Sequence, residues 1–115
     1  MDGYNANPSS MKASVENFSK MPGNNKVLIL GDMLEMGDAA IREHGVLLGL
    51  IDGIEVNKVF LVGEIFISIA DHGKYMYFES THDLIQELEK NKIEGHTVLI
   101  KGSRKIGLEK VVELL

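Results

Sequence analysis

The stretch Val27-Leu28-Ile29-Leu30-Gly31-Asp32-Met33-Leu34-Glu35-Met36-Gly37 decides how the rest of the chain folds. Its first four residues are apolar without alternation, the mark of a strand covered on both faces rather than one. Such a strand needs helices above and below it, and so implies a parallel sheet inside a layered α/β domain. Gly31 ends the run, and the loop that follows is closed by a second glycine, Gly37. Asp38 stands where a helix N-cap would, ahead of a helix carrying Ile41, Leu47, Leu48 and Ile51 on one side.

Further strands flank this one in sequence. Val59-Phe60-Leu61-Val62, closed by Gly63, reads as a second buried strand, and Thr97-Val98-Leu99-Ile100 as a fourth. Tyr75-Met76-Tyr77-Phe78 is the third, more aromatic and suited to an edge. Helical patterns separate them. Met11, Val15 and Phe18 recur at i, i+4, i+7 in a helix ending near Lys20, before the breaker cluster Met21-Pro22-Gly23-Asn24-Asn25. A short helix is expected from Ile65 to Asp71, with Gly73 just past its end. Ser80 caps another, with Asp83 in a capping-box-like position, Leu84, Ile85 and Leu88 facing inward and Gly95 after its end. Leu108, Val111, Val112 and Leu115 predict a final helix. Strands and helices in this alternation imply right-handed crossovers and a mainly parallel sheet of at least four strands, in a three-layer α/β/α sandwich.

Composition narrows the class. A chain of 115 residues with 44% hydrophobic content can bury one core, so residues 1–115 read as a single domain. The net charge of −5 and the lack of a basic stripe argue against nucleic acid as a partner. No apolar run reaches the length of a membrane span, and the N-terminus is polar, with no visible signal peptide. Zero cysteines exclude disulfides and thiolate metal sites, and are compatible with a reducing cytoplasm, the expected location.

Three polar stretches carry candidate chemistry. In Asp2-Gly3-Tyr4-Asn5-Ala6-Asn7-Pro8, a carboxylate, a phenol and two amides precede a helix that Asn7 caps and Pro8 opens. The same residues suit a plain turn and cap. Lys101-Gly102-Ser103-Arg104 sets two cations around a Gly-Ser turn at the end of a buried strand, suited to a carboxylate or phosphate or to a solvated basic turn. In the loop after Gly31, Asp32 and Glu35 could orient an ammonium group, while Met33, Leu34 and Met36 cover the core. His44 sits among apolar residues and reads as a packed or hydrogen-bonded structural histidine; His72, His82 and His96 show no ligand spacing, so no structural metal is expected. There is no phosphate-cradling P-loop, no G-x-G-x-x-G and no nucleophile triad.

Taken in order, the three stretches resemble the C-terminal domain of a Mur ligase, with smaller echoes in His44 and in Glu109-Lys110-Val111-Val112. The resemblance covers nearly the whole chain and departs from the usual pattern at Met1 and Gly3. It implies a Rossmann-like fold in which strand 97–100 lies beside strand 27–30, so that the loops after them flank one crevice. It also implies strand material ahead of Asp2 and a three-domain parent, whose N-terminal domain holds the UDP-sugar and whose central domain supplies the P-loop and the Mg²⁺ ligands. The implied activity is ATP-dependent joining of D-alanyl-D-alanine to UDP-N-acetylmuramoyl-tripeptide in peptidoglycan synthesis, or the reaction of another Mur-type ligase. Asp2, Asn5 and Asn7 match the ATP ribose and adenine side. Asp32, Glu35, Lys101, Ser103 and Arg104 match the region facing the dipeptide and the reaction centre. No catalytic residue is expected in this domain alone, and contact with the central domain would complete the site.

Two other classes fit parts of the pattern. One is a stand-alone nucleotide- or small-ligand-binding α/β module. The other is a receiver-like scaffold domain, against which the Glu79-Ser80 ending of the third strand counts, because a receiver needs a phosphorylatable Asp there.

Overall fold

A strand buried on both faces is possible only where its backbone is fully paired, and the first strand is paired on both sides. The computed structural model describes residues 6–70 and 75–114. In it β1 (Lys26–Gly31) is buried throughout. It pairs in parallel with β2 (Lys58–Val62) on one side and with β4 (Thr97–Lys101) on the other. β3 (Met76–Phe78) adds in parallel outside β2, giving the order β3-β2-β1-β4. The last strand therefore lies beside the first, with Leu30 opposite Lys101, as the crevice requires.

Side chains alternate across this sheet and divide the core in two. Leu28, Leu30, Val59 and Leu61 pack against Met11, Val15 and Phe18 of α1 (Pro8–Lys20), Leu47 and Ile51 of α2 (Ala40–Asp52) and Phe66 of α3 (Glu64–Ser68). Val27, Ile29, Phe60 and Val62 pack on the other face against Leu84 and Leu88 of α4 (Thr81–Lys90) and against Leu108 and Val111. Helices on both faces of a parallel sheet make the three-layer α/β/α sandwich.

Capping follows the sequence at both long polar-led helices. Asn7 is the N-cap of α1, its side chain accepting from the Ser10 N–H at 2.9 Å, with the Ser10 hydroxyl accepting from the Asn7 N–H in return. Ser80 accepts from the Asp83 N–H at the start of α4.

Four expectations need correction. Asp38 does not cap α2, because residues 37–39 already form a 3₁₀ turn and no extended residue is left to present a capping side chain. Ile41 is 53% exposed; the buried stripe of α2 begins one turn later, at His44. α3 stops at Ser68 rather than running to residue 71, and Gly73 lies outside the described residues. The final segment, Leu108–Leu114, is 3₁₀ rather than α, with Val112 54% exposed. Leu108, Val111 and Leu114 all face the core at a spacing of three, which is the period of the tighter helix. Leu115 lies outside the described residues.

Candidate functional site

Two glycines let the ends of β1 and β4 come together. A Cβ on Gly102 would stand 2.9 Å from the Gly31 Cα, and one on Gly31 would stand 3.0 Å from side-chain carbons of Ile106 and Leu108. Beyond them the two loops are stitched to each other. The Ser103 N–H donates to the Asp32 carbonyl at 3.1 Å, and the Leu34 N–H donates to the Ser103 hydroxyl at 2.8 Å. The result is a crevice of ≈ 470 Å³ at the carboxyl end of the sheet, lined by Ala6, Asn7, Leu34, Glu35, Met36, Ser103, Arg104 and Lys105.

The sequence-predicted residues divide on this geometry. Asn7, Glu35, Ser103 and Arg104 line the crevice together. Glu35 has φ +62°, and its side chain is 82% exposed, 4.0 Å from the Lys105 ammonium. Lys101 is half-buried in β4 and is not among the lining residues. It shares a strand face with Leu99, which packs on the α1 side of the sheet. Asp2 and Asn5 lie outside the described residues. Lys105 was not singled out from the sequence; its position directly after the basic turn was the available signal.

Asp32 is placed in the interior, not in the crevice. It is 2% exposed, and its two oxygens accept the N–H groups of Ile65 (2.9 Å) and Phe66 (3.1 Å) at the start of α3. Burial pushes its carboxyl above the ordinary 3.8, and the two amides pull the other way. Gly63 makes room for it: with φ +132°, a Cβ there would stand 2.2 Å from the Asp32 carboxyl carbon. Both of its oxygens are thus turned to the backbone of α3, and it is not among the residues that line the crevice. Beside it, His44 is fully buried, edge-on to Phe66 and 3.8 Å from an Asp32 oxygen. Its Nδ1 faces the Ala40 carbonyl at 2.7 Å and its Nε2 faces the Met33 N–H at 3.0 Å.

What the crevice can do is bind a group of mixed charge: cations from Arg104 and Lys105, a carboxylate from Glu35, and the N-terminal turn of α1 behind Asn7. Among the described residues no group of three or more His, Cys, Asp or Glu is arranged to hold a metal ion, and no helix is long and apolar enough to cross a membrane.

The profile of a family described as Mur ligase, glutamate ligase domain, matches residues 1–104. The chain belongs to the Mur ligase family, as its C-terminal domain. The Mur ligase domain is 35% identical to UDP-N-acetylmuramoyl-tripeptide–D-alanyl-D-alanine ligase of Bacillus subtilis, over 97% of this chain and 26% of that protein. It is also 35% identical to the ligase of the same name from Rickettsia prowazekii, with the same shares covered. Among solved structures, MurF from Acinetobacter baumannii superposes with a TM-score of 0.77 at 28% identity, over 97% of this chain and 26% of that one. MurF from Thermotoga maritima in complex with ADP gives 0.75 at 25% identity, over 98% and 26%. The Mur ligase domain thus spans about a quarter of the length of these relatives.

Proposed function

We propose that this domain serves an ATP-dependent ligase that joins D-alanyl-D-alanine to UDP-N-acetylmuramoyl-tripeptide in cytoplasmic peptidoglycan synthesis. The crevice between the loops after β1 and β4 would be its contribution to the site. The observation that carries the reading is the convergence of Glu35, Ser103, Arg104 and Lys105 on one crevice, in a chain whose relatives carry that ligase name. Transfer of the γ-phosphoryl group of ATP to the tripeptide's terminal carboxylate gives an acyl phosphate and ADP. The dipeptide amine then attacks the acyl carbon, the carbon–oxygen bond to phosphate breaks, and the amine gives up a proton.

In this reading the domain binds and closes rather than reacts. Arg104 and Lys105 meet the carboxylate of the dipeptide or the phosphate of the intermediate, and Glu35 meets its ammonium group. Lys101 acts at the base of the same turn. Asp2 and Asn5, with Asn7 on the crevice lip, serve the ribose and adenine of ATP. The Mg²⁺ used in such a phosphoryl transfer would be held by the central domain, as the family resemblance implies. Closure onto a central domain excludes water from the acyl phosphate.

Steady-state kinetics of the full-length ligase, each substrate varied in turn, test the assignment. Asp2→Ala should raise the Michaelis constant for ATP. Arg104→Ala should weaken dipeptide use about ten- to a hundred-fold, the weight of one lost charge-assisted hydrogen bond, and Lys101→Ala, acting from behind the lining, should weaken it by more than about two-fold. If both leave rates within about two-fold of wild type, the turn is only a basic loop, because a true contact costs more than that.

A further inference from the structure

We infer that His44, which touches no ligand, is a positioning residue that sets the shape of the crevice wall through the backbone of Met33. Three successive residues of the loop after β1 are tied to three different elements. The Asp32 carboxylate holds the first turn of α3, the Met33 N–H enters the His44 ring on α2, and the Leu34 N–H enters the Ser103 hydroxyl. Glu35 follows directly, in its left-handed turn, and lines the crevice. The wall is therefore fixed by what stands behind it, and His44 is the tie that reaches it from α2.

The tie works in one tautomer. The Ala40 carbonyl can only accept, so Nδ1 carries the proton; the Met33 N–H can only donate, so Nε2 presents its lone pair. The ring is held edge-on by Phe66 and wholly buried, so no water can replace Nε2 as the acceptor. Loss of that acceptor strands a buried N–H one residue before the crevice lining.

The inference rests on the proposed dipeptide crevice for its effect on activity, but its geometry can be tested alone. In the ¹⁵N-labelled chain, a scalar coupling across the hydrogen bond should link the Met33 amide nitrogen to His44 Nε2. Ring nitrogen shifts should report the Nδ1–H tautomer. Absence of the coupling, or the other tautomer, overturns the inference whatever the enzyme does.

In the full-length ligase, His44→Leu should raise the Michaelis constant for D-alanyl-D-alanine about ten-fold, with that for ATP within about two-fold. His44→Gln, whose side-chain oxygen falls near Nε2, should bring the constant back to within about three-fold of wild type. Equal losses in both variants, or equal effects on both substrates, would mean that His44 merely packs. Arg104→Ala, run beside them, reports on the crevice separately: if it is silent, the crevice reading fails, and the coupling still decides the tie.

Discussion

The two ends of the sheet carry polar cavities of nearly equal size, ≈ 500 Å³ around Lys26 and Asn57 at the amino end and ≈ 470 Å³ at the carboxyl end. They differ in what their polar groups are doing. At the amino end, Lys26 is 5% exposed and its ammonium donates to the Phe18 and Ser19 carbonyls, at 3.1 and 3.0 Å, closing the end of α1. The Asn57 side chain accepts from the Lys26 N–H at 2.7 Å. These groups are spent on the fold. At the carboxyl end, Glu35 and Lys105 stand 82% and 78% exposed at a separation of 4.0 Å, too open and too distant to hold structure. Cavity volume does not tell the two apart; the commitment of the polar groups does.

The same division runs through one loop. Asp32 and Glu35 are three residues apart, yet one is buried with both carboxylate oxygens accepting backbone N–H groups while the other is exposed in a left-handed turn. The largest expected effect lies on the buried side. Gly63→Ala places a methyl group 2.2 Å from the Asp32 carboxyl carbon at a φ of +132°. It should cost about 4 kcal/mol or more, the range reserved for strain combined with a broken buried contact. Urea unfolding of the chain measures it. A loss below about 1 kcal/mol, ordinary for a surface change, would show that Asp32 does not brace α3.

How far the sequence carried the structure follows from the same distinction. The layers were legible because Val27–Leu30 and Val59–Val62 are continuous apolar runs that only a covered parallel sheet can hold, whereas the place of strand 97–100 beside 27–30 came from the family resemblance. Asn7 and Ser80 were legible as caps because each precedes a clear helical period. The burial of Asp32 was not, since its partners are backbone amides of residues 65 and 66, far away in sequence and silent in composition. Lys26 was missed for the same reason: only the fold brings its ammonium to the carbonyls that end α1. The 3₁₀ ending could have been read from the spacing of Leu108, Val111 and Leu114, had period three been weighed against 3.6.

A paired substitution sharpens the contrast between the two ends. Lys26→Met keeps the length of the stem but strands two carbonyls, and should cost about 1–3 kcal/mol. Lys105→Met removes an exposed cation and should stay within about 0.5 kcal/mol of wild type in stability. In the full-length ligase the order should reverse, with Lys105→Met weakening dipeptide use and Lys26→Met changing it little once both are folded. Equal stability losses in thermal unfolding would erase the distinction between spent and available charge.

The smallest expected effect has the sharpest sign. Glu35 holds a left-handed φ of +62° that an L-residue adopts at a cost of roughly 1–2 kcal/mol. Glycine adopts it freely but gives up roughly 0.5–1 kcal/mol in the greater freedom of its unfolded chain. Glu35→Gly should therefore stabilise the chain by about 0.5 kcal/mol, while weakening dipeptide use in the full-length ligase about ten-fold through loss of the carboxylate. Glu35→Ala keeps the strain and loses the carboxylate, so it should match glycine in kinetics without gaining stability. The two variants separate backbone from side chain. Were Glu35→Gly to destabilise by about 1 kcal/mol or more, the residue would belong with Asp32 on the structural side of the loop. Were both variants to leave the kinetics unchanged, the exposed carboxylate would have no part in the crevice.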